Sequence, residues 1–240
     1  MNIYAWIIIA VLLTEFFIEL ITNYLNIKNL KPELPEEFRD IYDEDNYARS
    51  LRYTREQTYF GLARTVFGLA AVLIFWFAGG FNWLDIYLRQ FFDSMIIRGV
   101  AYIGILFLFQ FIISLPFSIY STFVIEEKYG FNKSTPKIFV TDLLKSFALG
   151  VAIGLPLLAA ILLILDAAGD NAWLYGWALL TVITFIMMYI GPKWIMPLFN
   201  KFEPLKDGEL KEKIMDFAVK VDFSVKDVYV MDGSKRSTKS

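Results

Sequence analysis

Five apolar stretches, each long enough to cross a lipid bilayer as a helix, constrain this chain more than any other feature. A helix rises about 1.5 Å per residue, so about 20 apolar residues span the roughly 30 Å hydrocarbon core. The stretches run over residues 3–25, 62–81, 99–119, 146–165 and 173–190. The first is too long for a signal-peptide core and has no positive leader or small-residue cleavage site, so it reads as a retained span. Composition agrees. Of 240 residues, 57% are apolar and 20% charged, against about half and about a quarter in a soluble domain. An ordinary soluble enzyme, a disordered chain and a disulfide scaffold are excluded.

Two absences narrow the chemistry. Without cysteine there is no disulfide framework, thiolate nucleophile or cysteine-type zinc site in these residues. Without histidine there is no imidazole base, no Ser-His pair and no HExxH motif. Catalysis by this chain alone would rest on carboxylate, lysine or tyrosine groups, and no catalytic or metal-ligating residue is assigned. The net charge of -2 gives no basic excess of the kind nucleic acid selects.

Lysine and arginine are distributed unevenly between the spans. One side of the membrane carries 21 and the other only two, Arg89 and Arg98. The positive-inside rule puts the richer side in the cytoplasm, with the amino terminus outside and the carboxyl tail cytoplasmic. The membrane would be a bacterial cytoplasmic membrane or the endoplasmic reticulum. Trp173, Trp177, Tyr189 and Trp194 mark the two interfaces of the fifth span.

The spans carry polar positions. Glu15 and Glu19 are four residues apart, and Thr22 and Asn26 continue the same face. Glu15 lies roughly 18 Å along the helix from Ile3, near mid-membrane. An ionised carboxylate there costs several kcal/mol unless paired, neutral or hydrated. The face is read as the wall of a polar cavity, with satisfaction by neighbouring helices as the plainer alternative. Gln110 and Ser114 form a second polar pair, Pro116 predicts a kink, and Gly150 and Gly154 make a small-residue face suited to close packing.

Between the spans, residues 30–57 mix both charges with Phe38, Ile41, Tyr42, Tyr47, Leu51 and Tyr53, suggesting short amphipathic helices after the breaks at Pro32 and Pro35. Gly130 suits a left-handed helix cap, and Thr135 suits the cap of a helix with Pro136 in its first position. Gly191-Pro192 and Pro197 predict the end of the fifth span. Asp207 can cap a helix bearing Leu210, Ile214, Phe217, Ala218 and Val221 on one face. Residues 225–231 read as a strand and Asp232-Gly233 as a turn. One helix and one strand cannot bury their faces alone. The tail therefore reads as the opening of a larger cytoplasmic α+β domain, truncated or completed by a partner.

Three stretches resemble a known family. The first is Glu126-Glu127-Lys128-Tyr129-Gly130-Phe131-Asn132, with Thr135, Phe139, Asp142 and Lys145 following at the family's spacing. The second is Pro197-Leu198-Phe199-Asn200-Lys201-Phe202, with Pro204-Leu205 and Gly208-Glu209-Leu210. The third is Val228-Tyr229-Val230-Met231-Asp232-Gly233-Ser234-Lys235-Arg236-Ser237. In this order, interleaved with five spans, they resemble the amino-terminal half of the type 1 CAAX prenyl proteases, integral-membrane zinc metalloendopeptidases.

The resemblance implies an all-α multi-pass membrane protein, with a transmembrane domain over residues 1–195 and the start of a cytoplasmic α+β metalloprotease domain over 196–240. It implies helices around a water-filled chamber, which Glu15, Glu19 and Gln110 would line. It singles out Glu126, Glu127, Gly130, Phe131, Asn132, Thr135, Pro197, Phe199, Asn200, Ser234, Arg236 and Ser237 as motif positions without assigning them roles. Partners implied are the lipid bilayer and a peptide or prenylated-protein substrate, with no nucleic acid. Zinc is implied for the full-length parent, bound by an HExxH helix and a downstream Glu, but no cofactor is assigned to this chain. Its sequence stops before that helix, and Lys239 stands where many members carry His. The expected state of the chain alone is zinc-free and inactive. A non-catalytic membrane scaffold or binding module is the alternative, and a small transporter the remaining one.

Overall fold

The computed structural model describes residues 2–34 and 43–238. The chain forms two compact units, Met1–Asn132 and Lys133–Ser240. Among the described residues, five helical segments are long and apolar enough to cross a membrane by length and composition.

In the first unit, α1 spans Ile3–Lys28, and its N-cap Asn2 accepts the Ala5 N–H. Helix α2 spans Glu44–Phe77, capped by Asp43, with Glu44 and Asp45 in its positively polarised first turn. Residues 44–57 are therefore not separate amphipathic helices but the first turns of α2. No Gly or Pro interrupts residues 44–60, so a helix started at Asp43 propagates into the apolar run. Pro35, Phe38, Ile41 and Tyr42 lie outside the described residues. Helix α2 stops at Phe77, short of the expected 81. Gly79 takes a left-handed φ of 77° and starts α3, Gly80–Arg89, whose Leu84 and Leu88 are buried. Helix α4, Met95–Tyr120, runs through Pro116, and its winding changes only at a π-helical turn over Ser121–Glu126.

In the second unit, Thr135 caps α5, Pro136–Ala167, by accepting the Ile138 N–H at 3.3 Å, and Pro136 occupies the first turn as expected. A Cβ added at Gly150 or Gly154 would meet nothing within 4 Å, so the small-residue face packs against none of the described residues. A 3₁₀ turn, Gly169–Asn171, leads to α6, Ala172–Ile190. Gly191-Pro192 does not end the helix. A π-helical turn, Gly191–Ile195, continues into α7, Met196–Phe199. Pro192 and Pro197 each fall in the opening residues of the segment where the winding changes.

The tail forms a small antiparallel ribbon. Strand β1, Phe202–Pro204, pairs with β2, Tyr229–Met231, in the register Phe202 to Met231 and Pro204 to Tyr229. Between them lies α8, Glu209–Lys220. Its N-cap is Gly208, not Asp207, whose carboxylate instead pairs with Lys211 at 2.8 Å. Ala218 is buried on α8, but Leu210, Phe217 and Val221 are exposed. Buried apolar positions are sparse elsewhere too, and most large apolar side chains of the spans point outward. A helix in lipid needs no apolar interior, because the surrounding tails are as apolar as its side chains.

Gly130 closes the corner after α4 with φ of 74°, and a Cβ there would press on the Arg49 guanidinium at 3.2 Å. Gly130→Ala is expected to destabilise the chain by about 1 kcal/mol, the cost of a left-handed L-residue. The reading is a lower unfolding midpoint in detergent.

Candidate functional site

The first polar cluster lies on α1. Thr14, Glu15, Glu19, Thr22 and Asn23 line an open groove of about 940 Å³ among apolar α1 residues. Asn23 takes the place expected of Asn26. Glu19 Oε1 accepts the Thr65 hydroxyl from α2 at 2.9 Å. Glu15 is exposed and has no hydrogen-bonding partner among the described residues. Gln110 is exposed on α4, and its neighbour Ser114 donates to the Phe111 carbonyl.

The second cluster gathers where α2 meets the end of α4. Glu126 Oε1 accepts the Tyr53 hydroxyl at 2.5 Å and the Gln57 amide at 2.9 Å. One turn along α2, Glu56 Oε2 accepts from Lys128 at 2.7 Å and from the Tyr129 hydroxyl at 2.8 Å. The hydrogen bond to Glu56 raises the Lys128 pKa, while burial, aided by Glu56, raises that of Tyr129. Arg49 donates to the Tyr129 carbonyl at 2.6 Å. The Tyr53 ring meets the edges of Tyr129 and Phe131 at 5.2 and 4.9 Å. Asn132 closes the corner by donating to Glu127 at 2.9 Å. Among the motif positions, this unit therefore brings together Glu126, Glu127, Gly130, Phe131 and Asn132. Of their α2 partners, Tyr53 was marked only as one apolar position of an amphipathic stretch, and Glu56 and Gln57 were not singled out from the sequence. The i, i+4 spacing of Tyr53 and Gln57 was the available signal, but it could not name the segment they would meet.

The third cluster, in the second unit, centres on Arg236. Its Nε and Nη2 donate to both Asp142 carboxylate oxygens, at 2.6 and 3.0 Å. Nη1 donates to Asn200 Oδ1 at 2.7 Å, and Nη2 to the Phe199 carbonyl at 2.5 Å. The Arg236 carbonyl in turn accepts the Lys133 N–H and the Ser134 hydroxyl. The bond to Asp142 raises the Arg236 pKa further. A planar fork is what allows one side chain to hold a carboxylate with two bonds and still cap the end of α7. Beside it, Lys145 donates to the Leu198 carbonyl at 2.7 Å. Asp232 accepts the Lys201 N–H at 2.7 Å and pairs with Lys235. Pro197 and Ser234 are exposed, and Ser237 is half-buried.

Zinc does not fit the residues present. The sequence has no His and no Cys, and among the described residues no three Asp or Glu groups gather as a metal site would need. No step of the chemistry is assigned to zinc here.

Helices of spanning length with polar clusters at their ends define an integral multi-pass membrane protein. The chain belongs to the family described as CAAX prenyl protease N-terminal, five membrane helices, whose model matches residues 23–201. It is 38% identical over 224 residues to the probable CAAX prenyl protease 1 of Schizosaccharomyces pombe, covering 88% of this chain and 47% of that one. Against the CAAX prenyl protease 1 of Saccharomyces cerevisiae it is 35% identical, covering 95% and 53%. A crystal structure of S. mikatae Ste24p superposes with a TM-score of 0.89 at 34% identity, over 99% of this chain and 56% of that chain. The chain thus spans about half the length of the curated relatives it matches.

Hydrogen bonds to a charged group contribute roughly 1.5–3 kcal/mol each. Arg236→Lys and Asp142→Asn are each expected to destabilise the chain by about 2 kcal/mol. The double variant should lose less than the two single losses added together, because the bonds joining the two side chains can be lost only once. Unfolding midpoints of the four proteins in one detergent check this. Asp232 supplies a pH dependence. Its bond to Lys235 first, then that to the Lys201 N–H, holds its pKa below the usual value of about 4. Its contribution is therefore complete above about pH 4 and is lost as pH falls through the lower, folded-state value. The stability difference between the native chain and Asp232→Asn should shrink across that acid range in a midpoint-against-pH series.

Proposed function

We propose that this chain forms the membrane half of a zinc metalloendopeptidase that cleaves prenylated or membrane-associated peptides in an intramembrane chamber. The observation that carries this reading is the likeness to Ste24p over nearly the whole chain, supported by the names of the relatives, CAAX prenyl protease 1. In this reading residues 196–240 begin the peptidase portion. The HExxH helix and its zinc belong to the part of the relatives that this chain does not span. Glu15 and Glu19 line the chamber wall, and the Arg236 latch fixes the peptidase portion to α5. Reading the coding sequence past the Ser240 codon tests this. An in-frame HExxH is expected. An immediate stop would favour the non-catalytic membrane scaffold, for which the absence of histidine is the supporting observation.

The proposed orientation rests on the 21-to-two distribution of lysine and arginine. The chain has no cysteine of its own, so single-cysteine labelling is unambiguous. Asp170→Cys, in the short turn before α6, should react with an impermeant maleimide on intact cells. Lys226→Cys should react only after permeabilisation. The reverse pattern would invert the topology.

A further inference from the structure

We infer that a pocket between α2 and the end of α4, with Arg52 and Arg55 at its rim, binds the phosphate headgroup of an anionic phospholipid. The pocket is an open depression of about 510 Å³ and lies wholly within the first unit. Its lower wall is aromatic: Tyr59 and Tyr120 are 60% and 46% exposed, and Phe60 stacks on Tyr120 at 5.0 Å. Exposed tyrosines at the ends of adjacent spans mark the level where hydrocarbon gives way to headgroups. Arg55 lies one turn beyond Tyr59, about 6 Å along the helix, and Arg52 about 10 Å. The headgroup layer is roughly 5–8 Å deep on each face, and long arginine side chains reach along it.

Charge selects the ligand. The one carboxylate lining the pocket, Glu56, is already held by Lys128 and Tyr129. Neither Arg52 nor Arg55 has an ion pair or hydrogen bond from its guanidinium to any described residue. Two guanidiniums without a partner among the described residues, set beside an aromatic wall at the end of a span, suit a group that joins a phosphate to a lipid tail. A free phosphate would satisfy the arginines but not the aromatic wall. A phosphopeptide would have to approach through the lipid headgroups. The inference needs the bilayer but not its polarity, and stands apart from the protease reading.

The test titrates the purified full chain, in nonionic micelles, with phosphatidylglycerol carrying a fluorescent acyl chain, and with phosphatidylcholine as the zwitterionic control. Saturable binding that prefers phosphatidylglycerol is expected. Arg52→Gln with Arg55→Gln should weaken it about thirtyfold, since each charge near an anionic headgroup brings roughly fivefold. Phosphatidylcholine binding should not change. Arg52→Lys with Arg55→Lys, which keeps the charges, should retain all but about fivefold, and serves if the glutamine pair does not fold. Arg89→Gln, which breaks the ion pair with Asp85 on α3, should leave binding unaltered. Equal affinity for the two lipids would overturn the inference. So would displacement of phosphatidylglycerol by equimolar inorganic phosphate, which would make this a free-anion pocket. Tighter binding of a soluble phosphopeptide than of the lipid would likewise assign the pocket to a protein partner.

Discussion

Hydrocarbon offers no water to an unpaired N–H or C=O, so a chain that crosses it must satisfy its backbone internally, and helices are the open-ended way to do so. Much of this structure depends on that constraint. Pro116 and Pro156 lie inside α4 and α5 without ending either helix. The changes of winding come only after the apolar run of a span is complete. The π-helical turns Ser121–Glu126 and Gly191–Ile195 occupy such positions at the ends of α4 and α6. Each wider turn accommodates extra chain within the helix and rotates the downstream residues by roughly the 100° that one α-helical residue occupies.

In the first unit that rotation has a visible consequence. Ile125 is fully buried, and the neighbouring Glu126 reaches Tyr53 and Gln57 on α2. The corner after Glu126 is fastened by backbone and side chain together. Gly130 supplies the left-handed turn, and the Phe131 N–H returns to the Glu126 carbonyl at 2.8 Å. The second unit solves a similar problem with one arginine. Arg236 ties Asp142 on α5 to Phe199 and Asn200 at the end of α7. Both are polar fastenings just beyond apolar runs, where the packing of side chains against lipid no longer dictates position.

Legibility in the sequence tracks the range of the forces involved. The five spans were readable because hydropathy is a sum over about 20 neighbouring residues. The caps at Gly130 and Thr135 were readable because each acts within one turn. Tyr53–Glu126 and Arg236–Asp142 join residues 73 and 94 positions apart, and no local pattern specifies such a pairing. The motif resemblance marked Glu126, Asp142 and Arg236 as notable without saying what they touch. Proline misled at Pro192, because a missing N–H weakens a helix without ending it when the surrounding apolar chain has no alternative to helical geometry. Strand β1 escaped notice because it is three residues long and contains Pro204. Its pairing is set by β2, which comes only after α8.

Depth in the membrane orders the charges that remain. Arg52 and Arg55, beyond Tyr59 on α2, have no ion pair or hydrogen bond from their guanidiniums among the described residues. Glu56 and Glu126, on the same side, are held by partners from a second element. Among the described residues, Glu19 on α1 accepts only the Thr65 hydroxyl, and Glu15, nearer the middle of α1, has no hydrogen-bonding partner. Solvation by hydrocarbon would predict the opposite trend, with the deepest carboxylates the best paired. The inversion is coherent if water reaches the α1 groove, because water then supplies the hydrogen bonds that no described side chain does. That argument, rather than the spacing of the two glutamates alone, is the physical reason behind the proposal that this face of α1 lines a hydrated chamber.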